Sequence, residues 1–217
     1  MQVSETLTSF ALFFRRCEEE EWLALTNPDT WEDFLISSTW GQEQNLAAYL
    51  EALACLKTIP SYQDFRAFAD RHFVGGLPTS ILAVESLYRS WTTLPNATLS
   101  FAGEKGFYES DSAAHMRYLY RQFEVEIASD AKLPADHLSL LLGFLAPLLE
   151  NASPEDTRTF IDEHLDWLDE LHTTITQRAP EAGWLMYITR LLIAYLDSLY
   201  QRMSLGQKTP VSKTTEG

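Results

Sequence analysis

Trp184, Tyr187, Ile188, Leu191, Leu192, Tyr195 and Leu199 fall at offsets of zero, three, four, seven, eight, eleven and fifteen. Side chains three and four apart stand above one another on a helix, so this spacing lays a broad apolar stripe along one face. Several other helices are needed to cover it, which commits the chain to a helical core. Leu138, Leu141, Leu142, Leu145, Leu148 and Leu149 repeat the pattern at offsets of zero, three, four, seven, ten and eleven. Pro134-Ala135-Asp136-His137 heads that second stripe. Proline at the first helical position loses no useful donor, which sets Asp136 at the third, facing the partly positive helix end, with His137 beside it.

Alternating strand patterns are almost absent, so the fold class is all-α, a single-domain helical bundle. Asn27-Pro28 and Ser153-Pro154 read as a cap followed by proline at the first position, and Ser61 with Asp64 three residues on marks another start. Helices are expected over 3–25, 28–37, 41–57, 61–73, 109–127, 135–150, 154–178 and 181–203. Gly75, Gly76, Pro78, Pro95, Gly103 and Gly106 interrupt the series. They predict a long irregular central loop over 75–108, with at most one short helix near Val84 to Trp91. Residues 1–203 form the expected domain, and the polar stretch 204–217 reads as a disordered tail.

The 217 residues are 46% hydrophobic, enough to bury a sizeable core without disulfides or metals. Asp and Glu outnumber Lys and Arg by 31 to 16, and the formal net charge of -15 repels phosphate backbones and anionic lipid. Nucleic acid is excluded as a partner on this basis, and a basic peptide is favoured. Cys17 and Cys55 stand outside any Cys-x-x-Cys spacing, as expected of reduced thiols. Residues 1–8 lack a charged leader, and no apolar run approaches the roughly 20 residues that cross a bilayer, so a cytoplasmic location without membrane insertion is expected.

Signatures of catalysis are missing: no Gly-x-Ser-x-Gly elbow, no Gly-x-x-x-x-Gly-Lys loop and no His-Glu-x-x-His helix occur. Glu109, Asp111 and His115 can be drawn as a metal set, but acids at a helix start have an electrostatic explanation of their own. His164 sits on an apolar stripe and reads as a satisfied buried histidine, and Glu18–Glu21 as a solvated helix face. No cofactor, metal or catalytic residue is assigned.

Arg71-His72-Phe73-Val74-Gly75, Pro78, Glu85-Ser86-Leu87-Tyr88, Met116-Arg117-Tyr118 with Phe123, and Pro134-Ala135-Asp136-His137-Leu138 follow one another along the chain. In order and spacing this series resembles the TorD/DmsD/NarJ family of cytoplasmic maturation chaperones for molybdenum-cofactor oxidoreductases, over roughly residues 10 to 203. Leu133 stands where the family usually has a glutamate, and Ser80-Ile81-Leu82-Ala83 replaces a bulkier loop.

The resemblance implies a chaperone, not an enzyme, that binds the twin-arginine signal peptide and/or the apo-form of a molybdenum-containing reductase subunit. It would assist cofactor insertion and prevent premature export. By correspondence, Asp136, His137 and Tyr88 are the foremost partner-binding residues, followed by Glu85, Ser86, Trp91 and Phe73. Asp136 would meet a guanidinium, and Tyr88 and Trp91 would supply stacking. Purely structural readings stand beside these: Asp136 as a helix-start carboxylate, and Phe73 as core. A helical adaptor with a changed partner, or a metal-dependent hydrolase using Asp136 and His137, are the alternatives. The protein is expected to be a monomer or a dimer swapped across the long loop.

Overall fold

The computed structural model describes residues 3–27, 29, 30, 33, 34, 58–125, 127 and 133–206. The expected helix over 41–57 lies outside them, as do most of 28–37 and residues 207–217 of the expected tail. Among the described residues the regular elements are helices: α1 (Val3–Leu12), α2 (Glu19–Leu25), α3 (Tyr62–His72), α4 (Asp111–Gln122), α5 (Leu138–Asn151), α6 (Pro154–His164), α7 (Leu168–Arg178) and α8 (Gly183–Gly206), with a 3₁₀ turn at Glu85–Leu87. The fold is all-α, as the stripes require. None of the described helices is long and apolar enough to cross a membrane.

Local chemistry explains where α3 and α6 start. Ser153 Oγ accepts from the Asp156 backbone N–H at 3.1 Å with Pro154 behind it, and Ser61 Oγ accepts from Asp64 N–H at 3.2 Å. Both caps satisfy donors that a helix start leaves unpaired. Both stripes face inward, with Leu138, Leu141, Leu142, Leu145, Leu185, Ile188 and Leu192 fully buried. Helix α1 lies along α5, α5 meets α6, and α8 packs on α6 and α7. Aromatic rings knit the remaining faces together. Trp22 of α2 stacks on Phe65 of α3 at 3.8 Å between centroids, and both touch Trp184 of α8 edge-on.

Several boundaries differ from the sequence reading. The stretch read as one helix over 3–25 breaks at 13–18. There Phe13 and Phe14 N–H close tight turns onto Phe10 and Ala11, and Glu21 Oε2 accepts from Glu18 N–H at 2.8 Å to start a new helix. The stretch 154–178 breaks at 165–167, because the last carbonyls of α6 are taken by side chains: His164 O by Trp167 Nε1 at 2.8 Å and Glu163 O by Arg89 Nη2 at 2.5 Å. Helix α4 is shorter than 109–127, since Glu109 and Glu124 adopt φ of 61° and 52° and cannot continue a right-handed helix. At the other end of the chain α8 runs on through Gly206, beyond the expected boundary at 203.

The loop over 75–108 is pinned at several points. Ile81 N–H donates to His72 O at 2.6 Å, and Trp91 and Thr92 N–H donate to Glu104 and Ala102 at 2.9 Å each. Its one short helical element is the Glu85–Leu87 turn, inside the window the sequence allowed.

Candidate functional site

The loop meets the head of α5 in a single antiparallel bridge between Val84 and His137. Leu138 N–H donates to Ala83 O at 2.7 Å, and Glu85 N–H to Asp136 O at 3.0 Å. This pairing draws 134–137 out of helical conformation, which corrects the placement of Pro134 at the first helical position and Asp136 at the third. The helix begins at Leu138 instead, and His137 caps it, its Nδ1 accepting from Ser139 N–H at 3.2 Å.

An accepting Nδ1 requires a neutral ring in the tautomer protonated at Nε2. Burial, with a smaller push from Arg15, lowers the His137 pKa to about 4. The unfolded chain, with an ordinary histidine near about 6.5, therefore takes up a proton before the folded one does. This histidine's share of stability is present above that value and is lost as pH falls toward 4. Urea melts are expected to show stability declining across that window, with a shallower decline in His137→Gln; equal slopes would overturn the neutral, buried assignment.

Asp136 is fully buried. Its Oδ2 accepts from Ser86 N–H at 2.7 Å and, at short range, from the Ser86 hydroxyl. Ser86 Oγ lies 2.8 Å from Ser110 Oγ, so the network reaches the residue that opens α4. Asp136 Oδ1 accepts no hydrogen bond among the described residues. Burial, and then the Asp136 charge, raise the pKa of the nearby Tyr108 and Tyr120 hydroxyls.

Glu85 is also fully buried and holds two cations or donors at once. Its Oε2 lies 2.8 Å from His164 Nδ1, and its Oε1 lies 2.9 Å from Arg89 Nε as an ion pair without hydrogen-bond alignment. Arg89 continues to Asp166 and the end of α6. His164 is thus the satisfied, buried histidine that the apolar stripe implied. The set Glu109, Asp111 and His115 does not converge: Glu109 pairs with Arg117, and Asp111 Oδ2 accepts from Thr92 Oγ1 at 2.6 Å and Thr93 N–H at 3.1 Å.

The residues singled out from the sequence therefore divide. Asp136, His137, Ser86 and Glu85 come together at one junction, all buried. Tyr88 turns away and stacks on Trp167 at 5.0 Å, its hydroxyl pKa pushed up to about 12 by burial. Trp91 is half-buried and packs edge-on against Phe101 within the loop. Phe73 is half-buried, packs on Phe65 and Phe68, and also borders an open groove.

That groove, about 860 Å³, runs between α1, the loop and α5. Leu12, Phe14, Phe73, Leu82, Leu133 and Leu140 give it apolar walls, His137 lines it, and Glu18 and Glu21 stand on its border. Arg15 and Arg16 line the same border: Arg15 pairs with Glu21 at 2.8 Å, which engages that carboxylate as well, and Arg16 pairs with Asp70 at 2.9 Å. Such a surface suits an extended or helical segment with an apolar middle and a basic end. Asp136 does not line it. Glu18 and Glu21 escaped the sequence reading because a run of acids is adequately explained as a solvated helix face, and only the fold sets them on the border of this groove.

Comparison with known proteins places this architecture. The family model of the nitrate reductase delta subunit matches residues 42–178. The chaperone protein TorD of Vibrio parahaemolyticus is 28% identical over 121 residues, a stretch that covers 49% of this chain and 55% of that protein. The chain thus spans about half the length of this curated relative. No solved structure matches. The family match takes in the Glu85–Tyr88 and Pro134–Leu138 segments that meet at the junction, and it spans more than half of the sequence: the chain belongs to the nitrate reductase delta subunit family, as its resemblance to TorD, DmsD and NarJ implied.

Proposed function

We propose that this protein is a cytoplasmic chaperone for a molybdenum-cofactor oxidoreductase. It binds the twin-arginine signal peptide or the apo-subunit, and holds it until the cofactor is inserted and export is safe. Family membership supports the class of function. The observation that carries the peptide reading is the apolar groove bordered by Glu18 and Glu21 on a chain of net charge -15. A twin-arginine signal peptide has a cationic front and an apolar middle, and the groove offers a match for each. The excess negative charge also speeds encounter with such a peptide, an effect that salt weakens.

Within this reading the residues named from the sequence take different parts. Phe73 and His137 contribute to the groove directly. Asp136, Glu85 and Ser86 hold the loop against α5 and so set the groove's shape. Tyr88 and Trp91 keep the loop's outer face packed. Domain 1–203 acts as the binding unit.

Calorimetric titration with a synthetic twin-arginine signal peptide tests the proposal. Binding is expected to weaken with added salt, and to fall about tenfold when both arginines become lysine, since lysine loses the bidentate fork. Leu82→Asp, which sets a charge in the apolar wall, is expected to cost at least about another tenfold, the equivalent of burying one mismatched polar group. Affinity indifferent to Leu82→Asp would move the site off the groove. No binding of either peptide, together with capture of the apo-subunit body, would leave a chaperone that ignores the signal.

A further inference from the structure

Beside the junction, next to the buried Glu85, two imidazoles face each other. His115 on α4 and His164 on α6 bring Nδ1 and Nε2 to 3.0 Å. Glu163 stands beside them, and one ligand atom from each of His115, Glu163 and His164 lies within 4.8 Å of the others. As they stand the two nitrogens share one hydrogen bond; a tetrahedral zinc at about 2.0–2.1 Å from each would replace its proton, the nitrogens opening to about 3.3 Å and the exposed His115 ring turning so that both lone pairs meet the ion.

A second observation comes from behind His164. Its Nδ1 is held at 2.8 Å by the buried Glu85 carboxylate, which is itself paired with Arg89. A carboxylate on one ring nitrogen fixes the tautomer and orientation of a metal-binding histidine and raises its basicity. Here it accepts from Nδ1–H, which leaves the Nε2 lone pair facing His115. The ring is further clamped by Phe160 at 5.1 Å, so it does not need to be ordered on binding. Partial burial and the neighbouring His164 lower the His115 pKa, against the opposing pull of Glu163 and Glu85. The pair opens onto a cavity of about 530 Å³ that Asp111, Asp166 and Glu170 also border.

We propose that His115, His164 and Glu163 bind one divalent transition-metal ion, zinc by preference of this donor set, with a further coordination position open to the cavity. Such an ion ties α4 to α6. Through Glu85 it also reaches the turn that carries Ser86, so loading stiffens the junction as well.

The test uses the full chain, stripped with a chelator and titrated with zinc sulfate in a calorimeter. One ion per chain is expected, with the melting temperature rising by about 5–10 °C at hundredfold excess over the dissociation constant. His115→Ala and Glu163→Gln alter exposed side chains, so both variants should fold. Each is expected to weaken zinc at least tenfold, while neither changes affinity for the signal peptide in metal-free buffer. No saturable binding to the wild type would overturn the proposal. So would binding that persists unchanged in the His115→Ala, Glu163→Gln double variant, since the ion would then sit elsewhere.

Discussion

Replacing Glu85 by alanine is expected to destabilise the fold by about 3–5 kcal/mol, the range for removing one partner of a buried ion pair. The carboxylate is fully buried, and its two partners differ in what they can do without it. Arg89 is 30% exposed and keeps Asp166 and the Glu163 carbonyl, so water can rehydrate its freed Nε. His164 is 3% exposed, and its Nδ1–H would be left without an acceptor inside the core. Most of the loss therefore sits on His164, and Arg89→Ala should cost distinctly less than Glu85→Ala. Glu85→Gln keeps an oxygen for His164 and should fall between the two. Denaturant melts with unchanged m-values would measure all three. A loss below about 1 kcal/mol for Glu85→Ala would mean that His164 finds another acceptor, and the buried relay described above would not be a structural element.

The contrast between what was and was not legible in the sequence follows from the range of the forces involved. Helix α8 could be read from Trp184 to Leu199 because burial imposes a period, and a period is a local pattern. The start at Ser153-Pro154 was equally plain, since the cap and the residues it serves are neighbours. The break at Leu165–Trp167 was not, because the guanidinium that terminates α6 comes from Arg89, 74 residues earlier. Asp136 shows the same competition more sharply. Its local signals favour a helix start, yet bonds to Ala83 and Glu85 outweigh them and leave the carboxylate facing Ser86, 50 residues away. His164 was recognisable as satisfied, whereas its partner Glu85 was not. The groove was hidden for a related reason: its walls come from α1, the loop and α5, which only the fold brings together.

Asp136→Ala is the variant that separates a role in the fold from a role in recognition. Two donors, Ser86 N–H and Ser86 Oγ–H, lose a buried, charged acceptor. Each such loss costs about 1–3 kcal/mol, so a total of roughly 2–5 kcal/mol is expected, reduced where Ser86 Oγ falls back on Ser110. Glu85 N–H keeps the backbone carbonyl of residue 136, so the loosening is confined to the Ser86 side of the turn. Peptide affinity should be measured well below the melting temperature, where the variant remains folded. There it is expected to fall no more than a few-fold, because a carboxylate with no exposed surface cannot meet a peptide guanidinium without displacing the loop. A drop equivalent to about 2–5 kcal/mol would show the opposite: that the peptide opens the junction and places an arginine on Oδ1, the oxygen that has no donor of its own. Comparison with Leu82→Asp decides between these outcomes. A groove-only site makes Leu82→Asp the more damaging to binding and Asp136→Ala the more damaging to stability, while a site that reaches Asp136 reverses the first ordering and leaves the second intact.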